Sequence, residues 1–453
     1  MSIYRTAYKY LTTWKNDSNH KPLLIRGARQ VGKTTLIREF SVNFTNYIEL
    51  NLERESDKNL FAIDDIDKLL NAIYLKKNIK LRAGTTLIFI DEIQEEPKAI
   101  QKLRFFYEEH PELYIVAAGS LVEFALRQIP SFPVGRIDYL YLYPINFDEY
   151  LGALNNELAQ EALAQIPIPD YAHSSLLELF HNYALVGGMP EIVDTYVKNP
   201  IATDLANFYN KLWQSYKDDI EKYAKNNTEK KVIRHIIASA PYQLDRIKFE
   251  GFGNSNYKSR EVSEALNALD LAKVIQLIYS STSIEAPIVS DLKKRPILQF
   301  IDSGLLNHIL LLQGEIITLN DLSNLYRGKI IHHLVNQELI SVHNEISYKP
   351  NFWVREKRTS NSEVDLIYRS GNKVIPIEIK SGKSGTLRSL HQFIDRAPHP
   401  YAVRMYAGEF KIEYTKTPAG TPYILMNLPY YLGTKIPQYL EYFIENYGLK
   451  KDN

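Results

Sequence analysis

Apolar runs and amphipathic stretches follow one another along the first 145 residues, and their alternation predicts strands and helices in turn. Three of the apolar runs are continuous, which is typical of strands buried on both faces of a parallel sheet. The predicted strands cover 23–25, 47–51, 87–90, 113–118 and 139–143. The predicted helices cover 4–16, 35–40, 98–109 and 121–127. Strands that alternate with helices predict an α/β domain, which we assign to residues 1–150.

The rest of the chain divides into three segments with different patterns. Residues 151–227 look helical, with loops at 167–169 and 187–188, and we interpret them as a lid and linker. The second segment, 228–315, has the order helix, helix, strand, at 228–239, 257–271 and 274–279. The third, 316–453, has a helix at 332–343 and strands at 353–357, 363–368 and 373–380. The pattern therefore predicts four parts in one α/β chain.

The first strand runs directly into a glycine-rich loop, and a helix follows. The loop and helix start read Gly27, Ala28, Arg29, Gln30, Val31, Gly32, Lys33, Thr34, Thr35. This is the P-loop pattern G-x-x-x-x-G-K-[ST], whose backbone N–H groups cradle a polyphosphate at a helix N-terminus. Lys33 would reach the β- and γ-phosphates of ATP, and the Thr34 hydroxyl would hold Mg²⁺. The alternative is a chance match, which the flanking strand and helix disfavour.

A second motif follows the apolar run 87–90, which ends in Asp91 and Glu92 in the manner of a Walker B strand. Both carboxylates would emerge at the carboxyl edge of a parallel sheet, where ligands bind. Asp91 would hold the Mg²⁺ shell, and Glu92 would orient the attacking water. A buried strand before an acidic helix start gives the same pattern, but the P-loop upstream favours the functional interpretation.

Two further residues are candidates for contact with the phosphates. Ser120 follows the strand at 113–118 and would sense the γ-phosphate, or serve as the N-cap of the next helix. Arg136 would stabilise transferring charge as an arginine finger, or form a surface salt bridge. The residues themselves leave both pairs of alternatives open.

These motifs resemble those of a family of bacterial and archaeal AAA-type ATPases that carry an uncharacterised, often nuclease-like C-terminal domain. The resemblance covers most of the chain. It rests on the P-loop and on residues 90–94, 118–120, 134–136 and 143–150, with further signatures at 186–191 and 302–306. It implies an ATPase core of the five-stranded AAA type and does not identify a substrate.

The helix, helix, strand order of residues 228–315 resembles a winged-helix module. Lys258 and Arg260, at the start of its second helix, would then meet a phosphate backbone. A structural or protein-contacting module is the alternative, because the basic patch is small.

The C-terminal segment contains a predicted β-hairpin with charged residues on one face. Alternation places Glu378 and Lys380 on the same face of one strand, and Asp365 lies on the partner strand across a short turn. Asp365 followed by Glu378-x-Lys380 resembles the core of PD-(D/E)XK nucleases, a restriction-endonuclease-like α/β fold. The sequence departs from that pattern at Val364, where the name calls for proline.

The chemistry of such a hairpin would be metal-dependent. Asp365 and Glu378 could hold Mg²⁺, which prefers oxygen ligands, and Lys380 would position or deprotonate the attacking water. Glu338, on the preceding helix, is an additional candidate ligand. The alternative is a solvated hairpin face. The loop 381–385 is rich in Gly, Ser and Lys but lacks the first P-loop glycine, and we interpret it as a turn.

Composition restricts the classes of function. Among 453 residues there are 54 Lys and Arg against 53 Asp and Glu, so binding of DNA or RNA would need a local basic patch. The absence of cysteine excludes disulfides, thiol catalysis and Cys-ligated zinc, and it suits a reducing cytoplasm. We see neither a signal peptide nor a membrane span and expect a cytoplasmic protein.

Two functional hypotheses follow. In the first, an ATP-driven machine or switch binds or cuts nucleic acid through its C-terminal domain. In the second, a nucleotide-gated signalling module carries a degenerate nuclease fold and acts through a partner protein or as a homo-oligomer. A GTPase or small-molecule kinase is a weaker third, because no Asn-Lys-x-Asp motif for reading guanine is visible.

Overall fold

The computed structural model describes residues 3–80, 86–126, 135–200, 205–222, 224, 226–243, 245–312, 328–343, 348–355, 362–382 and 386–449. The described residues form two compact units. Unit 1 comprises the chain up to Pro144 with Leu271–Val274, and unit 2 comprises the remainder from Ile145 onward. Several predictions fall wholly or partly outside the described residues. They concern the end of the helix 121–127, the boundary between 315 and 316, Val134 of the 134–136 motif, the end of the strand 353–357, and the turn at 381–385.

The described helices of unit 1 are α1 Ala7–Asn16, α2 Lys33–Phe40, α3 Glu55–Lys58, α4 Ile66–Lys77, α5 Pro97–Glu109 and α6 Val122–Leu126. Helices α1, α2, α5 and α6 begin and end close to the predicted positions. Helix α1 starts three residues later than the amphipathic pattern indicated, and it buries Leu11 and Trp14. Asp65 caps α4 by accepting the Lys68 N–H at 2.8 Å.

Unit 1 contains a five-stranded sheet in which all described pairings are parallel. Its strands are β1 Leu23–Arg26, β2 Asn46–Asn51, β3 Thr86–Asp91, β4 Tyr114–Ala118 and β5 Asp138–Tyr141. The spatial order is β2-β3-β4-β1-β5, so β4 lies between the strand before the P-loop and the strand that ends in Asp91. Every residue of β1 and β3 is buried, which explains their continuous apolar runs.

Unit 2 begins with a helical region. The described helices of unit 2 as a whole are α7 Phe147–Ala153, α8 Glu157–Ala164, α9 His173–Val186, α10 Pro190–Lys198, α11 Ala206–Glu221, α12 Asn227–Ser239, α13 Ser259–Leu271, α14 Ser303–Ile309, α15 Lys329–Ser341, α16 Arg388–Ile394 and α17 Ile436–Asn446. Among the described residues, no helix is both long enough and apolar enough to cross a membrane.

The described strands of unit 2 form two sheets. They are β6 Ile275–Ile278, β7 Ser280–Ser281, β8 Ile297–Phe300, β9 Asn351–Val354, β10 Glu363–Ser370, β11 Lys373–Ile379, β12 Tyr401–Tyr406, β13 Lys411–Lys416 and β14 Pro422–Pro429. The larger sheet is mixed, with the order β13-β14-β12-β11-β10-β9-β7, and β6 pairs with β8 in a small antiparallel sheet. Leu390 and Phe393 of α16 pack on Trp353, Val364 and Ile367 of the larger sheet.

The predicted order helix, helix, strand is present as α12, α13 and β6. Lys258 and Arg260 lie exposed at the start of α13, and the Arg260 Nε donates to Glu264 at 3.0 Å. The identity of this region as a winged helix, and its contact with nucleic acid, stay predictions.

Two signature segments of the sequence meet inside unit 2. Asp302 is fully buried, and its carboxylate accepts the Gly188 N–H at 2.6 Å and the Leu305 N–H at 2.8 Å. The Gly188 carbonyl in turn accepts the Ile145 N–H at 2.7 Å. Burial raises the pKa of Asp302 to about 6. These contacts give the segments 186–191 and 302–306 a structural role, because each satisfies buried polar groups of the other.

Candidate functional site

The P-loop is shaped by two glycines. Gly27 has a φ of 149°, and a Cβ there would lie 2.3 Å from the Leu142 carbonyl oxygen, so the residue must be glycine. Gly32, with a φ of 94°, precedes the first residue of α2. The loop therefore turns sharply between β1 and the N-terminus of α2, which is the geometry that binds phosphates.

Lys33 points into this loop. Its Nζ donates to the Gly27 carbonyl at 3.0 Å and to the Ala28 carbonyl at 2.8 Å. Burial lowers the pKa of Lys33 to about 8. Arg5, which the sequence did not single out, is buried and donates to the Val31 carbonyl at 2.8 Å. A residue that precedes the first helix thus supports the loop, and no motif identifies it.

Thr34, in helix α2, and Asp91, at the end of β3, lie together, although β4 lies between β3 and the strand that precedes the P-loop. The Thr34 hydroxyl donates to the Asp91 carboxylate at 2.9 Å. Asp91 is buried, and burial raises its pKa above the ordinary value. A hydroxyl and a carboxylate in contact beside a phosphate-binding loop are oxygen ligands suited to Mg²⁺, so the residues fit this ion.

Glu92 adopts the left-handed conformation, with a φ of 52° and a ψ of 45°. This backbone is unusual for a residue with a side chain, and such residues concentrate at functional sites. The Glu92 N–H donates to Asp91 at 3.1 Å, and the Gln94 Nε2 donates to the Glu92 carboxylate at 2.6 Å. Gln94 fits because residue 119 is glycine, where a Cβ would lie 2.1 Å from the Gln94 Oε1. Gln94 is a neighbour of Glu92 that our reading of the motif missed.

Ser120 is buried and comes two residues after the end of β4. Because Ala118 pairs with Ile25, this strand end lies at the same edge of the sheet as the P-loop. The position agrees with a sensor of the γ-phosphate, and the choice between sensor and N-cap stays a prediction.

Arg136 lies away from the P-loop of its own chain. The strand that follows it begins at Asp138, which pairs with Leu23 at the amino end of β1, whereas the P-loop follows the carboxyl end. The Arg136 Nε donates to Glu108 at 3.0 Å, and the same oxygen accepts from Arg104 at 2.9 Å. Within one chain this geometry favours the salt-bridge alternative over the arginine finger. A role toward phosphates bound by another copy stays a prediction.

Unit 2 brings the hairpin carboxylates together. The antiparallel register pairs Leu366 with Ile377, which places Asp365 opposite Glu378 on the same face. Burial raises the pKa of both carboxyl groups, and the negative charge of Asp365 raises that of Glu378 further. Two nearby carboxylates that resist ionisation together are a common arrangement at metal and catalytic sites.

Asp365 and Glu378 each accept a hydrogen bond from a neighbouring group. The Ile379 N–H donates to Asp365 at 2.8 Å, and the Lys380 Nζ donates to the Glu378 Oε1 at 2.6 Å. The Glu378 Oε2 is buried without a hydrogen-bond partner among the described residues. Within those same parts of the chain, no cluster of three His, Asp or Glu side chains could hold a metal ion. Mg²⁺ often binds through one or two carboxylates and keeps waters, so the pair still fits that ion.

Helix α15 contributes a different residue from the one that we predicted. Glu338 is fully buried, and it accepts the Phe147 N–H at 3.0 Å and the Tyr183 hydroxyl at 2.7 Å. Burial raises the pKa of Glu338 to about 8, so it is mainly a neutral acid at pH 7. The prediction that Glu338 is a metal ligand is therefore wrong. His332, on another face of the helix, lies beside Asp365, with its Nδ1 3.4 Å from the Asp365 Oδ1.

The sheet order, the P-loop and the Asp91-Glu92 pair together define a P-loop nucleotide-binding domain of unit 1. Comparison with family models agrees: residues 19–151 match the model described as an AAA domain. This part of the chain is therefore similar to AAA domains, and its P-loop supports ATP binding. Residues 177–315 and 327–428 match two domains of unknown function, DUF8612 and DUF4143. The comparison with curated protein sequences gives no significant match.

Several solved structures of ATPases are similar to this chain. A Walker-type ATPase of Pyrococcus abyssi is 15% identical, with a TM-score of 0.43, over 68% of this chain and 96% of that chain. A signal transduction ATPase with a tetratricopeptide repeat sensor, from Pyrococcus horikoshii, is 15% identical, with a TM-score of 0.29, over 75% and 46% of the two chains. The S. cerevisiae Hsp104–ADP complex is 12% identical, with a TM-score of 0.28, over 60% and 40%. Similarity at this level does not identify a shared function.

Proposed function

We propose that unit 1 hydrolyses ATP in a Mg²⁺-dependent reaction. The observation that carries this proposal is the contact between Thr34 and Asp91, with Glu92 next in the chain and held by Gln94. A phosphate-binding loop, an oxygen site for Mg²⁺ and a carboxylate that can orient water thus lie at one edge of the sheet.

Each residue has a definable part in the reaction. Lys33 would exchange its hydrogen bonds to the Gly27 and Ala28 carbonyls for hydrogen bonds to the β- and γ-phosphates. The negative charge of the phosphates would raise the pKa of Lys33 and keep its ammonium group protonated. Bound Mg²⁺ supplies neutralisation of charge that develops on the phosphates. Glu92 would accept a hydrogen bond from the attacking water and orient it in line with the γ-phosphate.

The test compares ATP binding with ATP turnover in two variants. Lys33→Ala should lose both, because it removes the cation from the loop. Glu92→Gln should still bind ATP but turn it over about 10²–10⁴-fold more slowly, because the amide cannot act as a base. Equal turnover in wild type and Glu92→Gln would remove Glu92 from the reaction.

A second candidate function belongs to unit 2, where we infer Mg²⁺-dependent binding and cleavage of nucleic acid. The position of Asp365 opposite Glu378, with Lys380 bonded to Glu378, favours this inference. The two carboxylates would hold the metal ion, and Lys380 would position water for attack on a phosphodiester.

The competing proposal is a nucleotide-gated switch whose hairpin site does not react. A nuclease assay on several DNA and RNA forms, with and without ATP, separates the two. Cleavage that requires Mg²⁺ and disappears in Asp365→Ala supports the enzyme. Absence of cleavage and of metal binding by the wild type supports the switch.

A further inference from the structure

A cleft in unit 2 opens beside the Asp365 carboxylate. Helix α15, strand β8 and the segment at Pro241 and Gln243 form its walls, and its volume with the open mouth is about 660 Å³. Much of the wall is apolar, with side chains of Pro241, Ile297, Leu298, Phe300 and Ile330. Clefts that combine apolar walls with a few placed polar groups are typical binding sites for small planar groups.

His333 lines this cleft, and its side chain has a buried hydrogen-bond donor that is unused. Its side chain is only 8% exposed, and its Nε2 accepts the Phe300 N–H at 3.1 Å. Burial lowers the pKa of His333 to about 4, so the ring is neutral and its proton is on Nδ1. No acceptor meets the Nδ1 in the part of the chain that the structure describes. An unpaired buried donor is costly, so an acceptor on a ligand would be stabilised there.

Asn336 presents an acceptor on the same face of the helix. It follows His333 by three residues, a spacing that makes side chains neighbours on a helix surface, and both line the cleft. Its Oδ1 is buried and has no donor among the described residues. The neighbouring amide of Gln299, in contrast, is already used, because it donates to the Phe300 and His333 carbonyls at 3.1 Å each.

We propose that this cleft receives an unpaired base of a single nucleic-acid strand whose backbone lies at Asp365 and Glu378. A nucleobase has apolar faces, which match the apolar walls of the cleft. Its edge carries an acceptor and a donor side by side, which match the donor of His333 and the acceptor of Asn336. A base paired in a duplex has this edge occupied, so the strand must be single at this position. The inference rests on the second proposed activity, which places a phosphodiester beside Asp365.

A cation at the start of α15 is available to the backbone of such a strand. Lys329 also lines the cleft, and its ammonium group pairs with the largely exposed carboxylate of Asp245, at 3.3 Å. An exposed ion pair is weak, so a backbone phosphate that leaves the cleft could replace Asp245 as the partner. Phosphates position the strand, while the base contacts select it.

The experiment measures binding of a labelled single-stranded 12-nucleotide DNA to the full chain with Ca²⁺ in place of Mg²⁺, because Ca²⁺ also takes oxygen ligands, and gel electrophoresis verifies that the strand stays intact. In His333→Gln the Gln oxygen takes the position of Nε2 and still accepts from Phe300, but the donor at Nδ1 is lost. Asn336→Leu removes the acceptor at similar volume. We expect each variant to bind the strand about tenfold more weakly, the effect of one buried hydrogen bond. His308→Gln on α14, outside the cleft, is the matched control and should bind as the wild type does.

Three further measurements distinguish the possible outcomes: binding of an abasic strand, binding of free nucleosides, and cleavage. Thermal unfolding verifies that each variant is folded. An abasic strand of equal length should bind about tenfold more weakly than the normal strand, because its phosphates remain but its bases are gone. Equal binding of the abasic strand, or unchanged binding by both variants, would overturn the cleft assignment. Free nucleosides that bind as tightly as the strand would also overturn it. If the wild type cleaves the strand and the two variants bind it as well as the wild type does, only the cleft assignment is refuted. If binding depends on the bases but no cleavage occurs in Mg²⁺, only the nuclease activity is refuted.

Discussion

The two candidate sites are assembled in different ways. In unit 1 the residues follow two parallel strands at one sheet edge, and a 2.9 Å bond joins Thr34 to Asp91 across an intervening strand. In unit 2 the site depends on the register of a hairpin, which sets Asp365 opposite Glu378. The first arrangement follows from two short motifs, each contiguous in the sequence, and the second exists only if two strands pair without a slip.

Charge also differs between the sites. The buried cation of unit 1, Lys33, bonds to neutral carbonyls, and burial lowers its pKa to about 8. The cation of unit 2, Lys380, bonds directly to the Glu378 carboxylate. A loop that holds an unpaired cation is prepared for an anion, whereas a site with two carboxylates and one lysine is prepared for a metal ion.

The contrast between the two sites holds only if each site acts independently of the other. Lys33→Ala should reduce ATP turnover by more than about 100-fold, and Asp365→Ala should leave it unchanged, because the residues lie in different units. Steady-state phosphate release from both variants and the double variant provides the measurement. A large loss of ATP turnover in Asp365→Ala would show that the hairpin site contributes to the ATPase.

A smaller effect is expected at Gln94, which holds the Glu92 carboxylate in place through a 2.6 Å hydrogen bond. Gln94→Leu should slow ATP turnover about tenfold, as expected for the loss of one hydrogen bond to a charged group. Nucleotide affinity should stay the same, because Gln94 does not contact the P-loop lysine. Gln101→Leu on α5 is the control. A loss of affinity with unchanged turnover would contradict the positioning role.

Protein stability should depend on pH through Glu338. Its pKa rises from an ordinary 4.5 to about 8 on folding, so the folded state retains a proton that the unfolded state has lost. The stabilising effect is complete below pH 4.5 and disappears as the pH rises through 8. Glu338→Gln should therefore flatten the decline in thermal stability between pH 5 and 8, whereas Glu157→Gln, at an exposed position, should not. A wild-type unfolding temperature that rises over this range would contradict the assignment.

The smallest effect is expected at Arg136. Its ion pair with Glu108 is exposed to solvent, and such pairs contribute little to stability. Arg136→Ala should change ATP turnover by no more than about threefold at protein concentrations where the chain is monomeric. If turnover instead falls about 10³-fold at concentrations where copies associate, Arg136 acts on phosphates of a neighbouring chain.

Prediction from the sequence succeeded where one local pattern decides the structure. The five strands of unit 1 and the register of the hairpin at residues 363–379 followed from apolar runs and alternation. The site contacts of Arg5, Gln94 and His332 could not be predicted in this way. Each contact depends on a residue that is distant in the sequence, or on the space that a distant residue leaves. Glu338 was misassigned because a carboxylate near a predicted site says nothing about which helix face points inward.

The bonds of Glu338 have a practical consequence for dissecting the chain. Its partners Phe147 and Tyr183 are 191 and 155 residues away in the sequence, yet all three groups are buried together. A fragment that starts at residue 316, where the sequence pattern suggested a separate domain, would carry the acid without either donor. Such a fragment should express poorly or aggregate, whereas one that starts at Ile145 retains the complete network. The smallest piece in which the hairpin site can be studied alone is therefore set by a hydrogen-bonded acid, not by the site itself.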